Sequence, residues 1–195
     1  MKMKIYDRTL CADTFNFTPK EVLEIAGALI KAGVNYIEVP SLDFVKIAPS
    51  FGGYIFGDER EKLNLVYLDN IIELNEYVAT GSDLDNVVVT SITGYGHEVK
   101  HLPTELAVME LLGKDNADSL YDLIYEYFKP RFTFAWGYDG LCALSAECRA
   151  DEDYIEYFYE KGHKANKIRS ILANVDMSRS VEFDIAYAEE LLVNA

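Results

Sequence analysis

His97-Glu98-Val99-Lys100-His101 places two histidines four residues apart with a glutamate after the first. On a helix, such imidazoles stand one turn apart and hold zinc while the glutamate activates water. A zinc hydrolase using His97, Glu98 and His101 is the chemistry this spacing allows. Its setting is not helical. Pro103 disfavours helical backbone at Leu102, and Gly94 and Gly96 come just before the motif. Lys100 would also set a positive charge close to the bound cation. The plainer reading is a polar loop after a strand.

A second group of chemically capable residues follows or closes strand-like segments. Cys11 and Asp13 lie beyond the first, Glu38 lies within the second, and Thr93, His97 and His101 lie beyond a third. Loops at the C-terminal ends of parallel strands build the sites of α/β folds. Cys11, Asp13, Glu38, Thr93, His97 and His101 are therefore expected at one pole, as candidate ligand-binding residues. Glu38 leads because a charge in a buried strand needs a partner, either an ion pair or a ligand. Asp7, inside the first strand, reads as structural, through hydrogen bonds to loop backbone. Cys11 could act as a nucleophile with His97 or His101 as base, although a lone thiol at a strand end more often fills space. Cys142 and Cys148 read as packing residues. So do Tyr121, Tyr125, Tyr154, Tyr157 and Tyr187, whose helical spacing suits a core or an interface.

These residues need elements to position them. Lys4 to Leu10 reads as a short buried strand. Thr18-Pro19-Lys20-Glu21 combines a threonine N-cap, a proline at the first helical position and a glutamate closing a capping box. Val22, Ile25, Ala26, Leu29 and Ile30 repeat at helical spacing, and Gly33 supplies the stop. Tyr36 to Val39 is a second strand, giving a β–α–β unit with parallel strands and a right-handed crossover. Residues 40–65 read as a long loop with one short strand near 53–56. A helix is expected from Leu65 to Tyr77, a turn at Gly81, a buried strand over 86–92 and a helix from Pro103 to Leu112. Helical spacing then recurs over 119–128, 153–161, 164–172 and 183–192, with Met177-Ser178-Arg179 as the loop before the last. The expected division is 1–114, a partial (β/α) barrel-like domain, and 115–195, a helical extension.

Three blocks carry a resemblance. The first is Asp7-x-Thr9-Leu10 with the capped helix, Ala26, and Leu29-Ile30-Lys31-Ala32-Gly33-Val34-x-Tyr36-Ile37-Glu38-Val39. The second is Gly94-x-Gly96 with Leu102-Pro103-Thr104-Glu105-Leu106. The third is Trp136-Gly137-Tyr138 followed by Ala186-x-Ala188-Glu189-Glu190-Leu191. Occurring in this order, the blocks resemble the pyruvate-type aldolases and acyl-CoA-dependent synthases, the DRE-TIM metallolyase superfamily. That group includes 4-hydroxy-2-oxovalerate aldolase, isopropylmalate synthase and HMG-CoA lyase, and the likeness is nearest the 4-hydroxy-2-oxovalerate aldolase-like branch. It implies a TIM-type barrel in which Ser41 closes the second strand and Val87 opens the eighth, with 45 residues between them. A βαβ unit takes about 30 residues or more and a whole barrel about 250. The expected fold is therefore a truncated or rearranged partial (β/α) barrel with parallel strands and a helical C-terminal tail.

The resemblance also implies a chemistry that the sequence departs from. The family closes its first strand with Thr-Leu-Arg-Asp-Gly, whose arginine stabilises an enolate oxygen and whose aspartate holds a divalent metal. Here Thr9-Leu10 runs into Cys11-Ala12-Asp13, no His-x-His pair exists, and His101 stands where the family has an asparagine in its glycine loop. The expectation is a degenerate family member without the metal–enolate mechanism, a pseudoenzyme in that sense, that still binds a small carboxylate or keto acid. No cofactor is expected; zinc or manganese is the alternative. Missing strands leave edges to be covered, so the expected partner is a further copy or a larger aldolase-like chain for which this one is a companion subunit.

Composition narrows the rest. A net charge of −15 opposes binding to nucleic-acid phosphates and anionic lipid. Apolar runs of four or five residues fall far short of a membrane span. Three cysteines without a CxxC pair suit a reducing, cytoplasmic setting.

Overall fold

The computed structural model describes residues 3–11, 16–81, 85–94, 101–131, 140–173, 175–176, 178–180 and 182–194. Ala12, Asp13, Gly96, His97, Glu98, Lys100, Trp136-Gly137-Tyr138 and Met177 lie outside them, as does the side chain of Cys142. The chain divides into two compact units, Met1–Leu123 and Ile124–Ala195.

The first unit is α/β. Strand β1, Lys4–Asp7, is followed by a 3-10 turn at Thr9–Cys11 and helix α1, Pro19–Lys31. The capping box forms as its residues dictate. Thr18 Oγ1 accepts from the Glu21 amide at 3.3 Å, and Glu21 Oε2 accepts from the Thr18 amide at 2.7 Å. Ile25, Ala26 and Leu29 form the buried stripe of α1. Gly33 ends this segment at φ 87°, a conformation that favours glycine. Strand β2, Tyr36–Glu38, follows.

The region read as loop contains helix α2, Leu42–Ile47, started by Ser41, whose Oγ accepts from the Phe44 amide at 3.3 Å. Strand β3, Tyr54–Ile55, falls where the short strand was expected. The helix expected from Leu65 starts later. Leu65–Tyr67 is strand β4, and helix α3 is Ile71–Ala79. Asn70 decides that boundary, because its Oδ1 accepts from the amides of both Ile72 and Glu73 at 3.0 Å. Strand β5, Val87–Ser91, is wholly buried. Strand β6, Leu102–Pro103, leads into helix α4, Thr104–Leu112, and then helix α5, Lys114–Leu123.

The strands run in the order β3-β2-β1-β5-β4, with β6 also beside β5, and every pairing is parallel. Alternation sorts the side chains onto two faces. Asp7 and Thr90 are register partners on the face that meets Thr104 at the start of α4. Tyr6, Val87 and Val89 lie on the other face, with Tyr36, Ile55, Leu63 and Leu65 packed against them. Nine residues, 56–64, join β3 to β4 at opposite ends of the order. Because Leu63 packs on Tyr6, Val87 and Val89, this connection crosses their face.

The second unit is helical among its described residues. A π-helical turn, Ile124–Phe128, and a 3-10 turn, Lys129–Arg131, precede helices α6, Gly140–Cys148, α7, Glu152–Glu160, α8, Ala165–Leu172, and α9, Ile185–Asn194. Tyr154 organises it. Its buried hydroxyl donates toward the Arg179 carbonyl at 3.0 Å and accepts from the Asp184 amide at 3.0 Å, so one phenol holds the segment before α9. Among the described residues no helix is long and apolar enough to cross a membrane.

Candidate functional site

On the α4 face the polar groups satisfy one another. Asp7, fully buried, accepts from the Thr9 amide at 2.9 Å and the Thr9 hydroxyl at 3.0 Å, and also from the Thr104 hydroxyl. The Thr104 and Thr90 hydroxyls are 2.9 Å apart, and Thr9 Oγ1 accepts from the Ile92 amide at 2.8 Å. Asp7 thus holds loop backbone, as its place in the strand implied, and links β1 to α4. Burial pushes its carboxyl up to about 6, against the pull of its hydrogen bonds.

Beyond β5 the backbone turns sharply. Thr93 lies at φ 60°, and its amide donates to both oxygens of the buried Glu105, at 3.2 and 3.1 Å. Gly94 follows at φ 70°, and a Cβ there would stand 2.7 Å from the His101 carbonyl. Only glycine lets the two segments approach so closely. The His101 amide donates to the Gly94 carbonyl at 3.2 Å, which returns His101 to the strand end.

The opposite face is where chemistry remains open. Arg8 is one residue beyond the pairs Asp7–Ile37 and Asp7–Thr90, so it stands between Glu38 and Ser91 in one row across the sheet. Its Nε donates to Glu38 Oε2 at 2.5 Å, and Arg60 Nη1 lies 3.6 Å from Glu38 Oε1. Tyr6 lies one row below. Its buried phenol adjoins Glu38 closely enough for the carboxylate to act on it by charge and by a side-chain hydrogen bond, though one poorly aligned. Burial first, and then Glu38, drive the phenol far above its ordinary range. Ser91 Oγ and Thr93 Oγ1 are also buried without a hydrogen-bond partner among the described residues. Leaving such a group unsatisfied costs about 1–3 kcal/mol, and buried hydroxyls are ordinarily completed by water or a ligand.

His101 is 6% exposed, with its ring 6.5 Å from that of Tyr67. Burial, and next the charge of Arg8, lower its pKa, so the imidazole is neutral at pH 7. Cys11 is half-buried and close to the Tyr6 phenol.

Of the residues singled out by sequence, Cys11, Glu38, Thr93 and His101 lie at the C-terminal ends of β1, β2 and β5 or just beyond. Asp13, His97 and Glu98 lie outside the described residues. Tyr6, Arg8, Ser91 and Arg60 escaped the sequence reading. Period-two alternation carried across the parallel register would have put Tyr6 and Arg8 on one face with Glu38. Among the described residues, no group of three His, Cys, Asp or Glu could hold a metal ion. What they do offer is a guanidinium, a neutral imidazole and hydroxyls awaiting partners, an arrangement suited to holding an anion. No family model, no curated protein and no solved structure matches this chain.

Proposed function

We propose that this protein binds a small carboxylate or keto acid at the C-terminal pole of its parallel sheet. In this reading the scaffold is a partial (β/α) barrel descended from the metal-dependent aldolases, without their metal–enolate mechanism. The carrying observation is the row Glu38–Arg8–Ser91 with Tyr6 beneath it, where a cation adjoins two buried hydroxyls that make no well-aligned hydrogen bond among the described residues. Arg8, three residues before the family's arginine position, supplies the charge. A carboxylate takes two parallel hydrogen bonds from such a guanidinium, while a neighbouring oxygen completes Tyr6 or Ser91.

Calorimetric titration with pyruvate tests the reading. Binding is expected, and Arg8→Ala should weaken it by about 10- to 100-fold, the size of a hydrogen bond to a charged group. Manganese-dependent exchange of pyruvate methyl protons by the purified protein would overturn it.

Assembly is the second part of the proposal. The end strands β3 and β4 are two and three residues long, and Leu42, Ile47 and Ile72 are 60%, 63% and 66% exposed. Strands so short blunt edge-to-edge pairing, so the exposed apolar side chains of α2 and α3 carry this part and favour burial against a further copy or a larger aldolase-like chain. Native mass spectrometry of protein purified from its host should give a mass above one chain; a strict monomer would remove this part.

A further inference from the structure

We infer that Glu38 is the internal competitor of the anion site: a bound oxyanion takes its place on Arg8 and completes the hydroxyls of Tyr6 and Ser91. The inference rests on the anion-binding reading above and adds the event by which the site fills. Register places Glu38 and Ser91 on opposite sides of Arg8. The guanidinium leans to one side only, its Nε 2.5 Å from Glu38 Oε2. On the other side Ser91 Oγ is buried and makes no hydrogen bond among the described residues, while the Tyr6 hydroxyl below meets Glu38 only outside good hydrogen-bond geometry. Glu38 can leave Arg8 without becoming an isolated buried charge, because Arg60 Nη1 already lies 3.6 Å from its other oxygen. An entering anion therefore exchanges one carboxylate for another on Arg8, gains the Ser91 hydroxyl that Glu38 does not reach, and offers Tyr6 a better-aligned acceptor than Glu38.

Two variants separate displacement from simple charge repulsion. Glu38→Gln removes both the charge and the strong acceptor. Glu38→Asp keeps the charge but draws the carboxylate back by one methylene. Calorimetry with sodium pyruvate is expected to show tighter binding in both, by about tenfold or more in Glu38→Gln, the worth of one charge-assisted hydrogen bond freed from competition. In the wild type, the Arg8 Nε–H resonance should move as pyruvate is added. If Glu38→Gln tightens binding and Glu38→Asp does not, only long-range charge is at work and displacement is overturned. Wild-type affinity in both variants also overturns it while leaving the anion site intact. Absence of binding in the wild type and in both variants removes the site itself. Should Glu38→Gln fail to fold, Glu38→Asp and the Arg8 resonance decide the question.

Discussion

Protonation of His101 is opposed by two causes of unequal weight: burial is the larger, and the guanidinium of Arg8 adds to it. Replacing Arg8 with alanine removes only the second, so the His101 midpoint should rise toward its ordinary value without reaching it. Ring-proton NMR against pH checks this, and an unmoved midpoint would show that Arg8 does not act on the imidazole. Asp7 has the opposite linkage. Its folded carboxyl titrates at about 6 against an ordinary 3.8, so between those values the folded state binds more protons than the unfolded. Stability from the neutral carboxyl is complete below about 4 and is lost as pH rises through about 6. The stability of the wild type relative to Asp7→Asn should therefore fall from pH 4 to pH 7, by at most on the order of 3 kcal/mol. Urea midpoints across that range measure it. His101 titrates in both proteins and largely cancels from the difference.

At the scale of elements, the contrast lies between an exposed cap and a buried junction. Thr18→Ala removes the side-chain acceptor at the start of α1 and should cost about 1 kcal/mol. Thr104→Val keeps the shape but takes a hydrogen bond from the buried Asp7 and a polar neighbour from Thr90. Its cost should be the larger, about 1–3 kcal/mol, and denaturant titration of both variants orders them. The same contrast explains what the sequence made legible. Thr18, Pro19 and Glu21 signal α1 locally, and that helix begins at Pro19. Leu65-Val66-Tyr67 continues the apolar spacing of α3 and so reads as helix, although pairing with β5 makes it strand. Ser41 caps a helix of six residues, too short to show a periodic stripe. The site divides in the same way. Glu38 stood out as a charge within a strand, whereas its meeting with Arg8 depends on the register of β1 against β2, which neither segment encodes alone. Thr93 and Gly94 are intelligible only through Glu105 and His101, which meet them from later in the sequence.

At the scale of the whole molecule, 33 acidic residues against 18 lysines and arginines leave a charge of −15. Such a chain repels itself, and compaction brings its charges closer. Added salt should relieve this, since the screening length falls from about 30 Å at 0.01 M to about 8 Å at 0.15 M. Salt also weakens attractive pairs, so the balance has to be argued. Lys20–Glu24, Lys46–Asp43, Lys161–Glu189 and Arg179–Glu190 are surface contacts, and exposed pairs contribute little to begin with. Arg8–Glu38 is better shielded from solvent and less open to screening. Relief of repulsion should therefore win, and the urea midpoint should rise as sodium chloride goes from 0.01 to 0.15 M. A neutral osmolarity control such as glucose at matched concentration should produce much less of the change. A midpoint that instead falls with salt would mean that the acidic surface is organised into favourable pairs, and that local geometry outweighs net charge in holding this fold.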